Sequence, residues 1–252
     1  TIPFCTSAGK YAKLLPFTAS AIKFPIINPS ESPDKYKWDK KFICFKLFSK
    51  FKQIILFMRI LNRMIILVII AILLVCSSNT QWSKNNWKNI IEADGKGYYA
   101  YLPAIFIYKD LNFSFFDSIE KKYPNPRIYY DYRVGATANA SNKYFAGTAI
   151  AITPFFLIAH IAAKSLGFEA DGYSKIYPVM INIAAIFYLA LALYYLKKIL
   201  IKYQAAPNLV TFILIAITFA TNVFYYAVCE PAMSHIYSFA FITMFIYYLH
   251  LF

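Results

Sequence analysis

Long apolar runs limit what this chain can fold into more than any other feature. The first is Met64–Val75, and four more follow: Tyr144–Ala163, Ile176–Leu196, Leu209–Val228 and Ile236–Phe252. Each of the later four is about long enough to span roughly 30 Å of hydrocarbon as a helix. The composition agrees, since 60% of the residues are hydrophobic, against roughly 45–50% in soluble proteins. We therefore predict an all-α polytopic membrane protein.

The net charge of +14 does not indicate nucleic-acid binding. Lysine and arginine are concentrated in the first sixty-odd residues and in short loops between apolar runs. Membrane proteins distribute cations in this way, because positive loops stay cytoplasmic and anionic headgroups attract them. No nucleic-acid-binding module accompanies the charge. The four cysteines form no CxxC pair and no zinc-like cluster with histidine, so no metal site is predicted.

The chain divides into a basic leader, a first helix and a long loop. Residues 1–57 show no persistent period and are interpreted as possible upstream translation before Met58 or Met64. Residues 58–76 form the predicted first transmembrane helix, with its cationic start inside. Residues 77–143 form an extracytoplasmic loop, and loops of this length are usually functional.

The topology after the loop has two solutions. If every apolar run crosses, the three lysines of Lys197–Lys202 face outward, which breaks the positive-inside rule. The conflict disappears if residues 144–166, interrupted by Pro154, are interfacial or re-entrant rather than transmembrane. Residues 176–196, 209–228 and 236–252 are then transmembrane helices, the last predicted to be truncated at the C-terminus.

Two acids are candidate catalytic residues. Asp94 precedes Gly95 and Gly97, which permit a tight turn and a close approach of substrate to the backbone. A carboxylate there suits a general base or a metal ligand; alternatively it is an acidic N-cap of an interfacial helix at Tyr98–Tyr108. Glu230 precedes Pro231, and is either a functional acid or an ordinary helix-start acid.

Four further residues are candidates for substrate or phosphate binding. Arg133 and Lys143 suit a phosphate group, or alternatively keep the loop soluble. His235 is placed to reach phosphate or a carboxylate, or is an interfacial side chain. Tyr98 suits stacking on a sugar, or belongs to an aromatic belt at the membrane surface.

Several motifs together resemble the GT-C superfamily of membrane glycosyltransferases, near the protein O-mannosyltransferases and lipid A aminoarabinose transferases. The resemblance rests on ADGKGYYAYLP at 93–103, NKYFAG at 142–147, ADGYS at 170–174, TNVFYY at 221–226 and EPAMSH at 230–235. It covers about residues 58–252, and members of the family continue through further helices.

The resemblance implies the N-terminal part of a GT-C-type helical bundle with a large first extracytoplasmic loop that includes an interfacial helix. It implies a bacterial inner-membrane enzyme that moves a sugar from a polyprenyl-phosphate donor to an outer-face acceptor. Asp94 would be the base and Lys143 would lie near the donor phosphate. Glu230 would be the second acid, although the branch commonly has Asp there. A divalent metal is compatible with this chemistry but not required by the sequence.

Two other functional classes stay open. A transporter or flippase component would use acids inside helices, whereas the acids here lie at helix ends. A non-catalytic membrane partner in polysaccharide assembly would use the loop for docking.

Overall fold

A computed structural model describes residues 60–124, 129–135 and 140–251. The predictions made for residues 1–57, for a start at Met58 and for the chain end at Phe252 lie outside these ranges. The described part is mostly helical, and three of its helices are long and apolar enough to cross a membrane: Ile60–Thr80, Gly147–Leu166 and Ile176–Lys202. The protein is thus a helical membrane protein.

Eight α-helices form the described chain. They are α1 (Ile60–Thr80), α2 (Asp94–Pro103), α3 (Phe116–Lys122), α4 (Gly147–Leu166), α5 (Ile176–Lys202), α6 (Pro207–Phe219), α7 (Val223–Val228) and α8 (His235–Leu249). A 3-10 turn at Asn86–Asn89 precedes α2, and a π-helical turn at Ala104–Tyr108 continues it. Two short antiparallel strands, β1 (Arg133–Val134) and β2 (Ser141–Asn142), pair Arg133 with Asn142.

Helix α1 packs on the bundle through one face. Ile65, Ile69 and Leu73 are buried, while Leu67 and Val75 are exposed. Residues four apart lie on one side of a helix, so the buried set forms a stripe and the remainder faces outward. An apolar outward face of this kind suits lipid.

Helix α5 is the centre of the bundle and contacts α1, α4, α6, α7 and α8. Its buried alanines include Ala184, Ala185 and Ala192, and small side chains allow neighbouring helices to approach closely. Asn182 is also buried: its side chain accepts a hydrogen bond from Trp82 Nε1 (2.8 Å) and donates one to the Ala227 carbonyl (2.7 Å). This single amide ties the end of α1 and α7 to α5.

Basic residues lie at the end of the bundle where α1 and α6 begin and α5 ends. The side chain of Asn62, at the start of α1, bonds with Asn208 and Thr211 at the start of α6. Lys197 Nζ, near the end of α5, donates to the Asn62 carbonyl at 2.8 Å, and Lys202 donates to the carbonyl at position 250. We call this the basic end.

At the other end, residues 81–124, 129–135 and 140–146 form a cap. Its aromatic cluster buries Phe113, Phe116 and Tyr132. Both ends of α4 contact the cap: Tyr101 bonds with the Tyr144 carbonyl just before α4, and Tyr108 bonds with the Asp171 carbonyl just after it. The segments that flank α4 on both sides are therefore joined to the cap.

The prediction of one helix over residues 209–228 is wrong. The chain forms α6 and α7 separately, with a break at residues 220–222. The hydroxyl of Thr221 bonds back to the Ile217 carbonyl and also accepts from the Val223 amide. Side chains of this type compete with the helical backbone pattern, which ends α6 here.

Candidate functional site

A strained turn presents Asp94 at the start of α2. The preceding residue, Ala93, has φ of 44°, a conformation that residues with a Cβ atom rarely adopt. Asp94 is the first residue of α2, and residue 93 holds the N-cap position. The alternative interpretation of Asp94 as an N-cap is therefore wrong. Strain of this kind persists only where the surrounding structure imposes it, and it is common at functional sites.

The carboxylate of Asp94 is held by Tyr144. The Tyr144 hydroxyl donates to Asp94 Oδ1 at 2.5 Å and also bonds with the Tyr130 hydroxyl. Tyr98, one helical turn after Asp94, places its ring 4.8 Å from the ring of Tyr144. Tyr144 therefore contacts Asp94 directly, and Tyr130 and Tyr98 contact Tyr144.

The loop that carries Glu230 packs against the turn that carries Asp94. A Cβ atom on Gly95 would lie 2.9 Å from Ala232 Cβ, so only glycine allows this contact unchanged. Glu230 itself accepts a hydrogen bond from the Tyr225 hydroxyl at 2.9 Å. The two acids predicted as catalytic therefore lie on neighbouring segments.

Glu92 belongs to the same region. Its carboxylate acts electrostatically on the Tyr225 hydroxyl that bonds with Glu230. One of its oxygens, Oε1, is buried and has no hydrogen-bond partner in the described part of the chain. The sequence does not predict a role for Glu92, because Glu230 is the better candidate for the second acid beside Asp94.

His235 is exposed at the first position of α8 and stacks on Tyr226, with the ring centroids 3.9 Å apart. An open depression of about 350 Å³ lies beside it, next to Thr221 and Asn222 at the α6–α7 break. The histidine therefore borders open space at a helix N-terminus, where anions are favoured.

A larger groove opens between α4 and α8, and we call it the α4–α8 groove. It has a volume of about 610 Å³. Its polar margin includes Tyr98 and Ser234, and its long walls are apolar and exposed: Phe145 is 89% exposed and Ile150 is 71% exposed. Phe241 and Ile242 of α8 form the facing wall. Through Tyr98 the groove borders α2, the helix that carries Asp94.

Arg133 and Lys143 are engaged within the cap. Arg133 bonds with both oxygens of Asp117 and with Asp131, and lies 4.2 Å above the Phe116 ring. Hydrogen bonds with Asp131 raise the pKa of the Arg133 guanidinium despite partial burial. Lys143 Nζ donates to the Asp131 carbonyl at 3.0 Å and lies over the Tyr130 ring. These contacts favour a structural role for Arg133 over phosphate binding.

No group of three or more His, Cys, Asp or Glu side chains in the described ranges is arranged to hold a metal ion. The site is instead a pair of acidic segments with tyrosine hydroxyls and an adjacent groove. Sequence reasoning missed Tyr144, which lies in the NKYFAG motif beside the lysine that drew attention. Comparison with protein-family models, with curated proteins and with solved structures gave no match to this chain.

Proposed function

We propose that this chain belongs to a membrane glycosyltransferase that moves a sugar from a polyprenyl-phosphate donor to an extracytoplasmic acceptor. One observation carries the proposal: the Asp94 carboxylate, held by Tyr144, lies one helical turn before Tyr98, which lines a groove with exposed apolar walls. An enzyme that takes a lipid-linked substrate needs a polar reaction centre in contact with the hydrocarbon region. The cationic residues of the basic end support a bacterial inner-membrane orientation with that end in the cytoplasm.

The α4–α8 groove suits both parts of such a donor, the apolar polyprenyl chain and the polar sugar phosphate. Its apolar walls, including Phe145 and Ile150, match a polyprenyl chain. Its polar margin includes Ser234 at the start of α8, where the positive end of the helix dipole lies. A donor phosphate fits that margin, and the Tyr98 ring offers a stacking surface to the sugar.

The proposed reaction is an inverting displacement. The acceptor oxygen attacks the anomeric carbon as the bond from that carbon to the lipid phosphate oxygen breaks, and the electron pair leaves with the phosphate. The acceptor proton passes to Asp94, acting as general base. Glu230 and Glu92, on the adjoining segments, are suited to bind acceptor hydroxyls.

The test uses membranes that contain the full-length protein, supplied with undecaprenyl-phosphate-linked radiolabelled sugars. Asp94→Asn keeps an oxygen that accepts from Tyr144 but removes the base, so transfer falls by at least about 100-fold. Glu169→Gln is the matched control, because this carboxylate is exposed and lies beyond α4; it leaves transfer unchanged. Wild-type transfer by a normally inserted Asp94→Asn variant would overturn the proposal.

The same variant separates the other functional classes. In a strain that lacks the gene, glycan and lipid-linked sugar changes are measured and then rescued with wild type or Asp94→Asn. Failed rescue by an inserted Asp94→Asn protein agrees with the enzyme. Full rescue favours a transporter or flippase component or a non-catalytic assembly partner.

A further inference from the structure

Tyr144 contacts Asp94 from a distant part of the chain. Its hydroxyl donates to Asp94 Oδ1 at 2.5 Å across 50 positions of sequence. Burial, and then the hydrogen bonds with Asp94 and Tyr130, raise the pKa of Tyr144 well above its ordinary value. The phenol therefore keeps its proton at neutral pH and acts as a donor to the carboxylate.

The backbone around Tyr144 is held on both sides. The side chain of Asn142 accepts from the Tyr144 amide at 3.0 Å and donates to the Gly97 carbonyl at 2.7 Å. The Tyr101 hydroxyl donates to the Tyr144 carbonyl at 2.6 Å. One asparagine thus joins the loop before α4 to the helix that carries Asp94.

The ring of Tyr144 is also confined. A Cβ atom on Gly97 would lie 2.1 Å from the ring, so the helix surface has room for it only because residue 97 is glycine. On another side the ring packs against Tyr98. With its backbone and ring both fixed, the hydroxyl lies between Asp94 and Tyr130, and it donates to the Asp94 carboxylate while it accepts from the Tyr130 hydroxyl.

We propose that Tyr144 is a positioning residue that orients the Asp94 carboxylate, with Asn142 as the clamp that holds it. This inference rests on the proposed glycosyl transfer for its catalytic meaning. By occupying Oδ1, Tyr144 leaves Oδ2 to take the acceptor proton. It also keeps the carboxylate in one rotamer before the acceptor binds, and pre-set geometry of this kind is a major source of rate.

The test compares Tyr144→Phe with wild type in the full-length protein. Phenylalanine keeps the packing against Gly97 and Tyr98 and removes only the hydroxyl. We expect kcat to fall by about 10- to 100-fold, with the donor KM unchanged within about twofold. Tyr108→Phe is the matched control, because its hydroxyl bonds with the Asp171 carbonyl instead; it leaves kcat unchanged.

A spectroscopic measurement tests the contact without relying on turnover. The infrared carboxylate band of Asp94 is assigned as the band that disappears in Asp94→Asn. It shifts in Tyr144→Phe and stays in place in Tyr108→Phe. A purely structural role for Tyr144 would leave the band unmoved in a folded variant.

The outcomes separate the two proposals. A folded wild-type protein without transfer activity refutes the glycosyltransferase function, while the shifted band still supports the contact between Tyr144 and Asp94. An active wild type whose Tyr144→Phe variant keeps full kcat, or whose Asp94 band is unmoved, refutes the positioning role.

Discussion

Gly97 is the residue on which the contact between Tyr144 and Asp94 depends sterically. Alanine there would favour the helix by about 1 kcal/mol, but its Cβ would lie 2.1 Å from the Tyr144 ring. Because Asn142 and Tyr101 hold the Tyr144 backbone, the ring must rotate away from Asp94. We expect Gly97→Ala to lower transfer by about 100-fold and to destabilise the protein by about 1–3 kcal/mol.

Gly147→Ala provides the matched control. Gly147 is the first residue of α4, and a Cβ atom there would have nothing within 4 Å among the described atoms. Thermal unfolding in detergent should show little change for this variant; transfer is not compared, because Gly147 also lines the α4–α8 groove. If Gly97→Ala unfolds at the same temperature as Gly147→Ala, the Tyr144 ring can move away from residue 97 without cost, and the predicted steric conflict is wrong.

Of the two residues in the contact between Tyr144 and Asp94, only Asp94 could be predicted from the sequence. Asp94 stood out because an acid followed by two glycines predicts a presented turn, and the strained Ala93 agrees with that. Tyr144 did not stand out, since the chain has 22 tyrosines and most suit an interfacial belt. Lys143 attracted the functional prediction through its charge, whereas its neighbour makes the contact with Asp94.

Among the elements, the connection between α4 and α5 fixes the cap through Asp171. Its carboxylate accepts from Lys122 Nζ and the Tyr123 hydroxyl, both at 2.8 Å, and from two backbone amides. Burial raises the pKa of Asp171, but these hydrogen bonds outweigh burial and hold it below its usual value. The carboxylate therefore stabilises the fold while it is ionised.

We expect Asp171→Asn to destabilise the protein by about 1.5–3 kcal/mol at pH 7. A group with a lowered folded-state pKa contributes its stability above the unfolded pKa of about 3.9 and loses it as pH falls through the folded value. The gap in unfolding temperature between wild type and Asp171→Asn should thus stay constant from about pH 7 to 5 and narrow below about 4.

Glu169→Gln is the control for this series. Glu169 also bonds with Lys122, but its side chain is 64% exposed, and exposed pairs contribute about 0–1 kcal/mol. An equal loss of stability in both variants would show that the charge of Lys122, and not the buried network around Asp171, stabilises the connection.

The bounds of a helix could be predicted from the sequence where an apolar run is long and uninterrupted. The long apolar run of α5 begins at the predicted position, although the helix continues through the lysines to Lys202. The break between α6 and α7 was not predictable from hydropathy, because Thr221 and Asn222 are two polar residues within a long apolar stretch. The break forms because the Thr221 hydroxyl bonds with the Ile217 carbonyl and the Val223 amide, and hydropathy does not report such hydrogen bonds.

For the whole molecule, the two ends of the bundle differ in chemistry. The basic end has Arg63, Lys197 and Lys202 with no acid in residues 60–63 or 197–208, whereas the cap mixes lysines and arginines with acids and tyrosines. This sorting agrees with the positive-inside rule if the cap is outside.

The placement of α4 decides the topology, and its contacts favour an outer-side position. Tyr188, about midway along α5, donates to the Ala151 carbonyl near the start of α4, and Tyr177, near the start of α5, bonds with His160. These two contacts place α4 antiparallel to α5, along the part of α5 between Tyr177 and Tyr188. Its exposed isoleucines, such as Ile158 and Ile161, suit lipid on one side.

We predict that both ends of α4 are accessible from outside the cell. Single cysteines are introduced at the exposed positions Ser141, Ser165 and Tyr203 in a protein whose four native cysteines are replaced. A membrane-impermeant maleimide should label positions 141 and 165 in intact cells. Position 203, next to the basic end, should react only after permeabilisation. If positions 141 and 165 react from opposite sides, α4 crosses the membrane, and the lysines at 197–202 then share the outer compartment with the cap.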